Sequence, residues 1–104
     1  MIARVWTGRT RTEDADTYAA YLARTGIPDY HATPGNRGVH VLRRIDGEVT
    51  EFLLLTYWDD IASIRAFAGA DIERARYYPE DEHWLLEMPE TVTHYDVLAQ
   101  GDPA

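Results

Sequence analysis

Aromatic and imidazole side chains are the groups in this sequence best suited to chemistry on a small molecule. Rings form apolar walls, and hydroxyl, indole and imidazole groups supply a few polar tips, which is the usual composition of a site for a planar ligand. Packing is the alternative for Trp58, which precedes a predicted helix, and for Trp84, which precedes two leucines. The pattern predicts a pocket drawn from the following residues: Trp6, His40, Tyr57, Trp58, Tyr77, Tyr78, His83, Trp84, His94 and Tyr95.

Other kinds of catalytic site are not indicated. The four histidines, at positions 31, 40, 83 and 94, are too irregularly spaced to place two metal ligands on one helical turn. Ser63 is the only serine, and no G-x-S-x-G motif surrounds it. The glycines form no phosphate-binding loop, and cysteine is absent. We therefore expect no metal site, no nucleotide cofactor and no serine or cysteine nucleophile.

Composition limits the class of protein and its partners. The chain has 104 residues, 45% of them hydrophobic, and a formal net charge of -8, which suits one small domain with a single core. A chain of this charge, without basic runs, is a poor partner for nucleic acid or an anionic membrane surface. With no signal-peptide pattern and no long apolar run, we expect a cytoplasmic protein.

Periodicity and turn signals predict the order of the elements that must position the pocket. Asp46-Gly47 suits a tight hairpin turn, Asp59 and Asp60 suit a helix start, and Gly69 interrupts that helix. The predicted elements are strand 2–9, a helix from about 12 to 26, a loop 27–38, strands 39–45 and 48–58, a helix from 61 resuming over 72–75, a short helix from Pro79, strand 91–98 and a frayed tail 99–104.

The element order β-α-β-β-α-β predicts an α+β fold, a ferredoxin-like antiparallel sheet in a single domain over residues 1–98. Phe52-Leu53-Leu54-Leu55 is apolar on both alternating faces of the third strand, whereas a sheet with one wet face shows polar residues at every second position. Helices on one side leave the other face uncovered. We therefore expect a homodimer in which two copies pack sheet to sheet.

Several segments of the chain together resemble the antibiotic biosynthesis monooxygenase family of the dimeric α+β barrel superfamily. The resemblance covers residues 1–98 and implies a ferredoxin-like protomer, a dimeric barrel and a ligand cavity between helices and sheet. The superfamily also holds haem-degrading enzymes, dismutases and isomerases. The segments are Ile-Ala-Arg-Val-Trp at 2–6, Tyr-Trp-Asp-Asp at 57–60, Ile-Arg-Ala-Phe at 64–67, Tyr-Tyr-Pro-Glu at 77–80 and His-Tyr-Asp-Val-Leu at 94–98.

The resemblance bears on cofactor use. Its haem-degrading members use an asparagine on the first strand, a helix histidine that ligates iron and a supporting tryptophan. Here Trp6-Thr7 stands on the first strand without an asparagine, while His83 lies beside Trp84. No cofactor is therefore expected, with haem left as an alternative.

The resemblance implies cofactor-independent oxygenation of an aromatic or polyketide-type molecule. Such a reaction needs a base, for which a neutral imidazole is suited, and His40 and His94 are the predicted catalytic residues, although a buried histidine with satisfied hydrogen bonds is the alternative for each. A small-ligand-binding or stress-response protein, and an isomerase or cyclase that consumes no oxygen, remain alternatives. The predicted substrate-binding residues are Trp6, Arg4, Tyr57, Trp58, Tyr78, His83 and Trp84.

Overall fold

A computed structural model describes residues 1–101 of the chain. The helices and strands are β1 (Ile2–Arg11), α1 (Ala15–Arg24), α2 (Gly26–Ala32), β2 (Asn36–Asp46), β3 (Val49–Trp58), α3 (Ile61–Ala68) and β4 (Thr93–Asp96). Single 3-10 turns cover Thr12–Asp14 and Asp81–His83. The predicted tail 99–104 has no regular structure at residues 99–101, and its last three residues lie outside the described part.

The four strands form one antiparallel sheet in the order β2-β3-β1-β4. Pairing of β1 with β3 runs without a break from Ile2 opposite Trp58 to Arg11 opposite Val49. This order confirms the predicted ferredoxin-like α+β fold, and the hairpin turns at Gly47, whose φ of 62° suits glycine. Within residues 1–101 no helix is long and apolar enough to cross a membrane.

The segment predicted to be a loop over 27–38 instead contains α2. A proline just after a helix usually indicates its end, but Pro28 lies in the first turn of α2. An N–H at that position has no partner within the helix, so proline costs the helix no hydrogen bond there. The strand β2 then begins at Asn36 and contains a register shift between Asn36 and Gly38.

The helix α3 begins as predicted and ends earlier than predicted. The Asp60 carboxylate accepts the Ser63 backbone N–H at 2.8 Å and caps the helix. Gly69, with φ of 95°, ends it, and residues 72–75 do not resume a helix. They run beside the chain near residue 91 instead, where Ala75 N–H donates to the Glu90 carbonyl at 2.9 Å. Pro79 likewise begins no helix, only the short turn Asp81–His83.

The two faces of the sheet differ in cover, and this decides where a site can lie. Residues of β3 alternate along the whole strand between fully buried and half-buried. The buried set faces the helices and forms the core, which contains Phe52 and Trp58 at 0% exposure. The half-buried set, with Leu53 and Leu55, faces away from the helices; we call this the open face.

A close approach on the covered face fixes one aromatic ring. A methyl group at Gly8 would lie 2.3 Å from the Trp6 ring, so only glycine allows the indole to fold back over its own strand. The ring is 8% exposed. The Trp6 ring thereby forms part of the wall of a cavity between the sheet and the helices.

Candidate functional site

A cavity lies between the covered face of the sheet and the helices. Its volume open to the centre of a water molecule is about 30 Å3, which is room for about two waters. The apolar wall contains Trp6, Tyr18, Leu22, Tyr30, Leu54 and Phe67, and the polar groups are Arg4, Arg76, Tyr77, Tyr78 and Asp81. The mixture of rings and a few charges is that of a small-molecule site.

One wall contributes a buried guanidinium. The Arg4 side chain is 4% exposed, donates to the Ile72 carbonyl and donates from Nη2 to the Arg74 carbonyl at 3.0 Å. Ile72 and Glu73 lie in a turn and Arg74 forms a bridge with Thr91, so the Ile72 and Arg74 carbonyls are not taken up by a helix. Within residues 1–101 no carboxylate lies within 4.0 Å of it. Burial lowers the pKa of Arg4, and the nearby Tyr30 partly offsets this by raising it. The guanidinium nevertheless stays charged. Among the described residues, the cavity therefore contains a positive charge that no carboxylate contacts directly.

His94 stands behind this arginine instead of in the cavity wall. Arg4 Nη1 and His94 Nε2 are 3.1 Å apart, and because a guanidinium can only donate, the imidazole nitrogen must accept. The ring is then neutral with its proton on Nδ1. Burial, and to a smaller extent the charge of Arg4, lowers the pKa of His94. The charge of Glu73 partly offsets this by raising it. In this arrangement His94 orients Arg4, and its lone pair is already used.

Another part of the wall contributes a buried carboxylate. Asp81 is 3% exposed; its Oδ1 accepts the Tyr18 hydroxyl at 3.1 Å and its Oδ2 accepts the Tyr78 backbone N–H at 2.6 Å. Burial raises the pKa of Asp81, against these two hydrogen bonds. Burial and the nearby carboxylate raise the pKa of Tyr18 in turn. The cavity therefore has a basic group whose charged form is disfavoured by its surroundings.

The Tyr30 hydroxyl is the donor in this cavity that the protein leaves free. Within residues 1–101 this hydroxyl makes no hydrogen bond, and it keeps some solvent contact, because every fully buried polar side-chain atom there has a partner. Tyr30 is one of the residues that line the cavity. Burial raises the pKa of Tyr30 to about 12, although the charges of Arg4 and Arg76 act to lower it. Its phenol is thus protonated at neutral pH and can donate to a ligand.

Arg76 closes the solvent side of the cavity. Its guanidinium lies 4.7 Å from the Phe67 ring centroid and 5.3 Å from that of Tyr78, and it donates to Asp29 at 3.1 Å. The Tyr78 hydroxyl donates to the same carboxylate, at 2.5 Å. Arg76 also donates to the Phe67 carbonyl at 3.0 Å. Its side chain is 38% exposed, so these contacts form a partly exposed latch between α2 and residues 76–78.

Hydrogen bonds hold the aromatic wall in place. Trp6 Nε1 donates to the Tyr77 hydroxyl at 3.1 Å, and that hydroxyl donates to the Pro89 carbonyl at 2.6 Å. Behind the wall, Trp58 packs 6.3 Å from Tyr30, centroid to centroid. These contacts fix the rings, and none of them involves a polar atom of Arg4 or Tyr30.

The structure brings together only part of the predicted site. Arg4, Trp6, Tyr77 and Tyr78 line the cavity. Trp58 is a core residue behind the wall. Trp84 does not line the cavity and packs against α1, with its ring centroid 4.9 Å from that of Tyr21 and 6.1 Å from that of Tyr18.

Four other predicted residues lie outside this cavity, among them Tyr95, which is 59% exposed on β4. His40 and Tyr57 are on the open face, with ring centroids 6.1 Å apart, and His83 is exposed on its 3-10 turn. A role for His40 or His94 as a base stays a prediction, and for His40 it would need a site on the open face.

Sequence reasoning did not name four groups that matter here. Tyr18 lies within the helix predicted from about 12 to 26, and Tyr30 within the predicted loop 27–38. Arg76 carries no signal. Asp81 lies in the short helix predicted from Pro79, although its place after Tyr-Tyr-Pro-Glu, in a turn, is an available signal.

The cavity as it stands does not fit haem. No histidine lines it, His83 points its ring toward solvent beside Trp84, and the space is that of about two waters. A histidine ligand for iron would have to come from elsewhere. No step below uses haem.

No protein-family model and no curated protein matches the chain, whereas solved structures do. A protein of Nitrosomonas europaea, provisionally named an antibiotic biosynthesis monooxygenase, is 18% identical over 95% of this chain and 100% of its own, with a TM-score of 0.68. A Bacillus cereus protein with the same provisional name is 12% identical over 100% and 97%, with a TM-score of 0.70.

A third solved structure belongs to a described enzyme. MhuD of Mycobacterium tuberculosis, a haem degrader with two haem groups bound in its active site, is 15% identical over 98% of this chain and 100% of its own, with a TM-score of 0.66. At such identities the likeness concerns the fold and not the reaction. The chain thus has the α+β fold of the antibiotic biosynthesis monooxygenase structures, and the resemblance predicted from its sequence is confirmed at that level.

Proposed function

We propose that the protein is a cofactor-independent monooxygenase that holds a small aromatic substrate as a phenolate or enolate in the cavity between helices and sheet. The observation that carries the proposal is the buried Arg4 guanidinium without a carboxylate partner, next to the free Tyr30 hydroxyl. In a site of low dielectric, fixed donors of this kind stabilise an anion far more than water-exposed ones.

The reaction is balanced without an external reductant. A phenol loses its hydroxyl proton and then a ring hydrogen, one atom of O2 enters the ring as a quinone carbonyl, and the other leaves as water. The substrate supplies all the electrons, which it can do once it is an anion. The protein supplies a base, the Arg4 and Tyr30 donors and a wall of rings that excludes water.

The size of the cavity sets a condition on binding. Space for about two waters does not admit an aromatic ring, so the substrate must displace side chains. The Arg76 latch is the group suited to this, because its contacts with Asp29 and with the rings of Phe67 and Tyr78 are partly exposed. Opening it would connect the cavity with solvent between α2 and residues 76–78.

Oxygen consumption with α-naphthol as the probe tests the proposal, with naphthoquinone and water as the expected products. We expect Arg4→Met to lower the rate by about 100-fold, as the loss of one anion-stabilising donor does. The matched control is Arg9→Met, which lies five residues along β1 on the open face and is paired with Glu87. Binding without oxygen uptake would favour a binding protein, and an isomerised product without oxygen uptake would favour an isomerase or cyclase.

The homodimer remains part of the proposal. The open face presents Leu42 at 48% exposure and Tyr95 at 59%, beside the half-buried Leu53 and Leu55. An apolar sheet surface of this kind is best covered by a second copy of the same sheet. Sedimentation velocity should give a dimer for the unmodified chain and a monomer for Leu53→Arg; a monomeric unmodified chain at micromolar concentration would contradict the proposal.

A further inference from the structure

We infer that Asp81 is the base that takes the substrate proton in this cavity, an inference that rests on the proposed function for the identity of the substrate. Asp81 lines the cavity and is 3% exposed. Its two partners, the Tyr18 hydroxyl and the Tyr78 N–H, are neutral donors. Within residues 1–101 no arginine or histidine nitrogen lies within 4.0 Å of it.

A structural role explains part of this arrangement. Asp81 N–H donates to the Tyr78 carbonyl at 3.0 Å while the Asp81 carboxylate accepts the Tyr78 N–H, so the two residues close a turn reciprocally, as in a capping box. An exposed polar side chain would serve that turn equally well. Burying a carboxylate away from any cation costs free energy that the turn does not require, and this cost disappears when the carboxylate takes a proton.

The groups that face Asp81 are phenols. Tyr18 on α1 contacts it directly, and Tyr30 on α2 and Tyr77 feel its charge. The cations of the cavity, Arg4 and Arg76, are farther away. Phenols that are protonated at neutral pH neither repel the carboxylate nor compete with it for a proton, so Asp81 is the one group in the cavity wall that can act as a base there.

Asp81 and Arg4 lie in different parts of the cavity, so one can accept the proton while the other stabilises the anion. In the proton transfer a C–H or O–H bond of the substrate breaks, an O–H bond forms on the Asp81 carboxyl, and the electron pair stays on the substrate as an enolate or phenolate. The oxyanion is then stabilised at Arg4 and Tyr30. Nothing is oxidised in this step, so it can be observed without oxygen.

The test is hydrogen exchange on a carbon acid. β-Tetralone has a C–H bond between an aromatic ring and a carbonyl; under nitrogen in D2O its protein-dependent deuterium uptake, followed by NMR, reports proton abstraction alone. We expect Asp81→Asn to lower that rate by about 100-fold, the contribution of a general base. Affinity for β-tetralone, measured by quenching of tryptophan fluorescence, should change little. Asp16→Asn, an exposed acid on α1 paired with Arg43, should exchange like the unmodified chain.

A second variant covers the case in which Asp81→Asn does not fold. Tyr18→Phe removes the hydroxyl whose hydrogen bond lowers the pKa of Asp81, so the rise of the exchange rate with pH should move to higher pH. A purely structural role for Asp81 would leave that pH profile unchanged.

The outcomes separate the two proposals. Full exchange in Asp81→Asn, or binding without exchange in the unmodified chain, would overturn the role of Asp81. Exchange that depends on Asp81 without oxygen uptake under air would support the role of Asp81 and overturn the monooxygenase. Failure of both β-tetralone and α-naphthol to bind at millimolar concentration would overturn both.

Discussion

The two faces of the four-stranded sheet differ in composition and in what they contact. On the covered face, Arg4 and Phe52 are almost fully buried, and the guanidinium of Arg4 has hydrogen-bond partners. On the open face, Leu53 is half-buried and Leu42 is 48% exposed. Neighbouring residues of one strand thus belong to different surfaces, one that surrounds a cavity and one that is suited to a second copy. Chemistry on this fold depends on which set faces the helices.

The largest effect should come from adjacent residues of β3. We expect Phe52→Ala to lower the free energy of unfolding by about 4 kcal/mol, as the loss of a fully buried ring does. Leu53→Ala should cost about 1 kcal/mol in dilute solution, because half of that side chain is already exposed. Urea unfolding at low protein concentration measures both. Equal losses would mean that the two faces are equally covered in a single chain.

A second comparison uses two arginines of β1. Arg4→Met leaves the Ile72 and Arg74 carbonyls without their donor, and we expect a loss of about 2–3 kcal/mol in the free energy of unfolding. Arg9→Met on the open face breaks an exposed ion pair with Glu87 and should cost less than about 1 kcal/mol. If Arg4→Met instead increased stability, the guanidinium would be strained in the free protein and held there for a ligand, which would sharpen the assignment of the site.

Local signals in the sequence were enough for the fold. The hairpin at Asp46-Gly47, the Asp60 cap and the strand alternation all act over a few residues, and together they predicted the observed sheet. The α2 helix was missed because a proline in a first turn looks the same in sequence as a proline that ends a helix.

The candidate site was less predictable, for a different physical reason. A strand with period two gives two sets of residues and does not say which set meets the helices. Arg4 and Trp6 were named together with His40 and Tyr57, and these pairs turned out to lie on opposite faces. Asp81 was missed because its burial depends on contact with Tyr18, which is 63 residues away along the chain.

The smallest expected effect concerns His94, which accepts a hydrogen bond from Arg4. It tests whether the covered face disfavours a second positive charge. The pKa of His94 lies below its ordinary value of 6.5, so below about pH 6.5 the unfolded chain binds more protons at this residue than the folded chain. Stability from His94 is therefore complete above that pH and is lost as the pH falls.

The variant His94→Gln isolates this contribution, because a glutamine oxygen can accept the Arg4 hydrogen bond without titrating. We expect the difference in unfolding free energy between pH 8 and pH 5 to be smaller in His94→Gln than in the unmodified chain. Asp81 contributes with the opposite sign, since its raised pKa favours the folded state in acid, and it is unchanged in both proteins, so it cancels. His40→Gln on the open face is the control. If it altered the pH dependence as much as His94→Gln, the burial of His94 beside the charge of Arg4 would not be its cause.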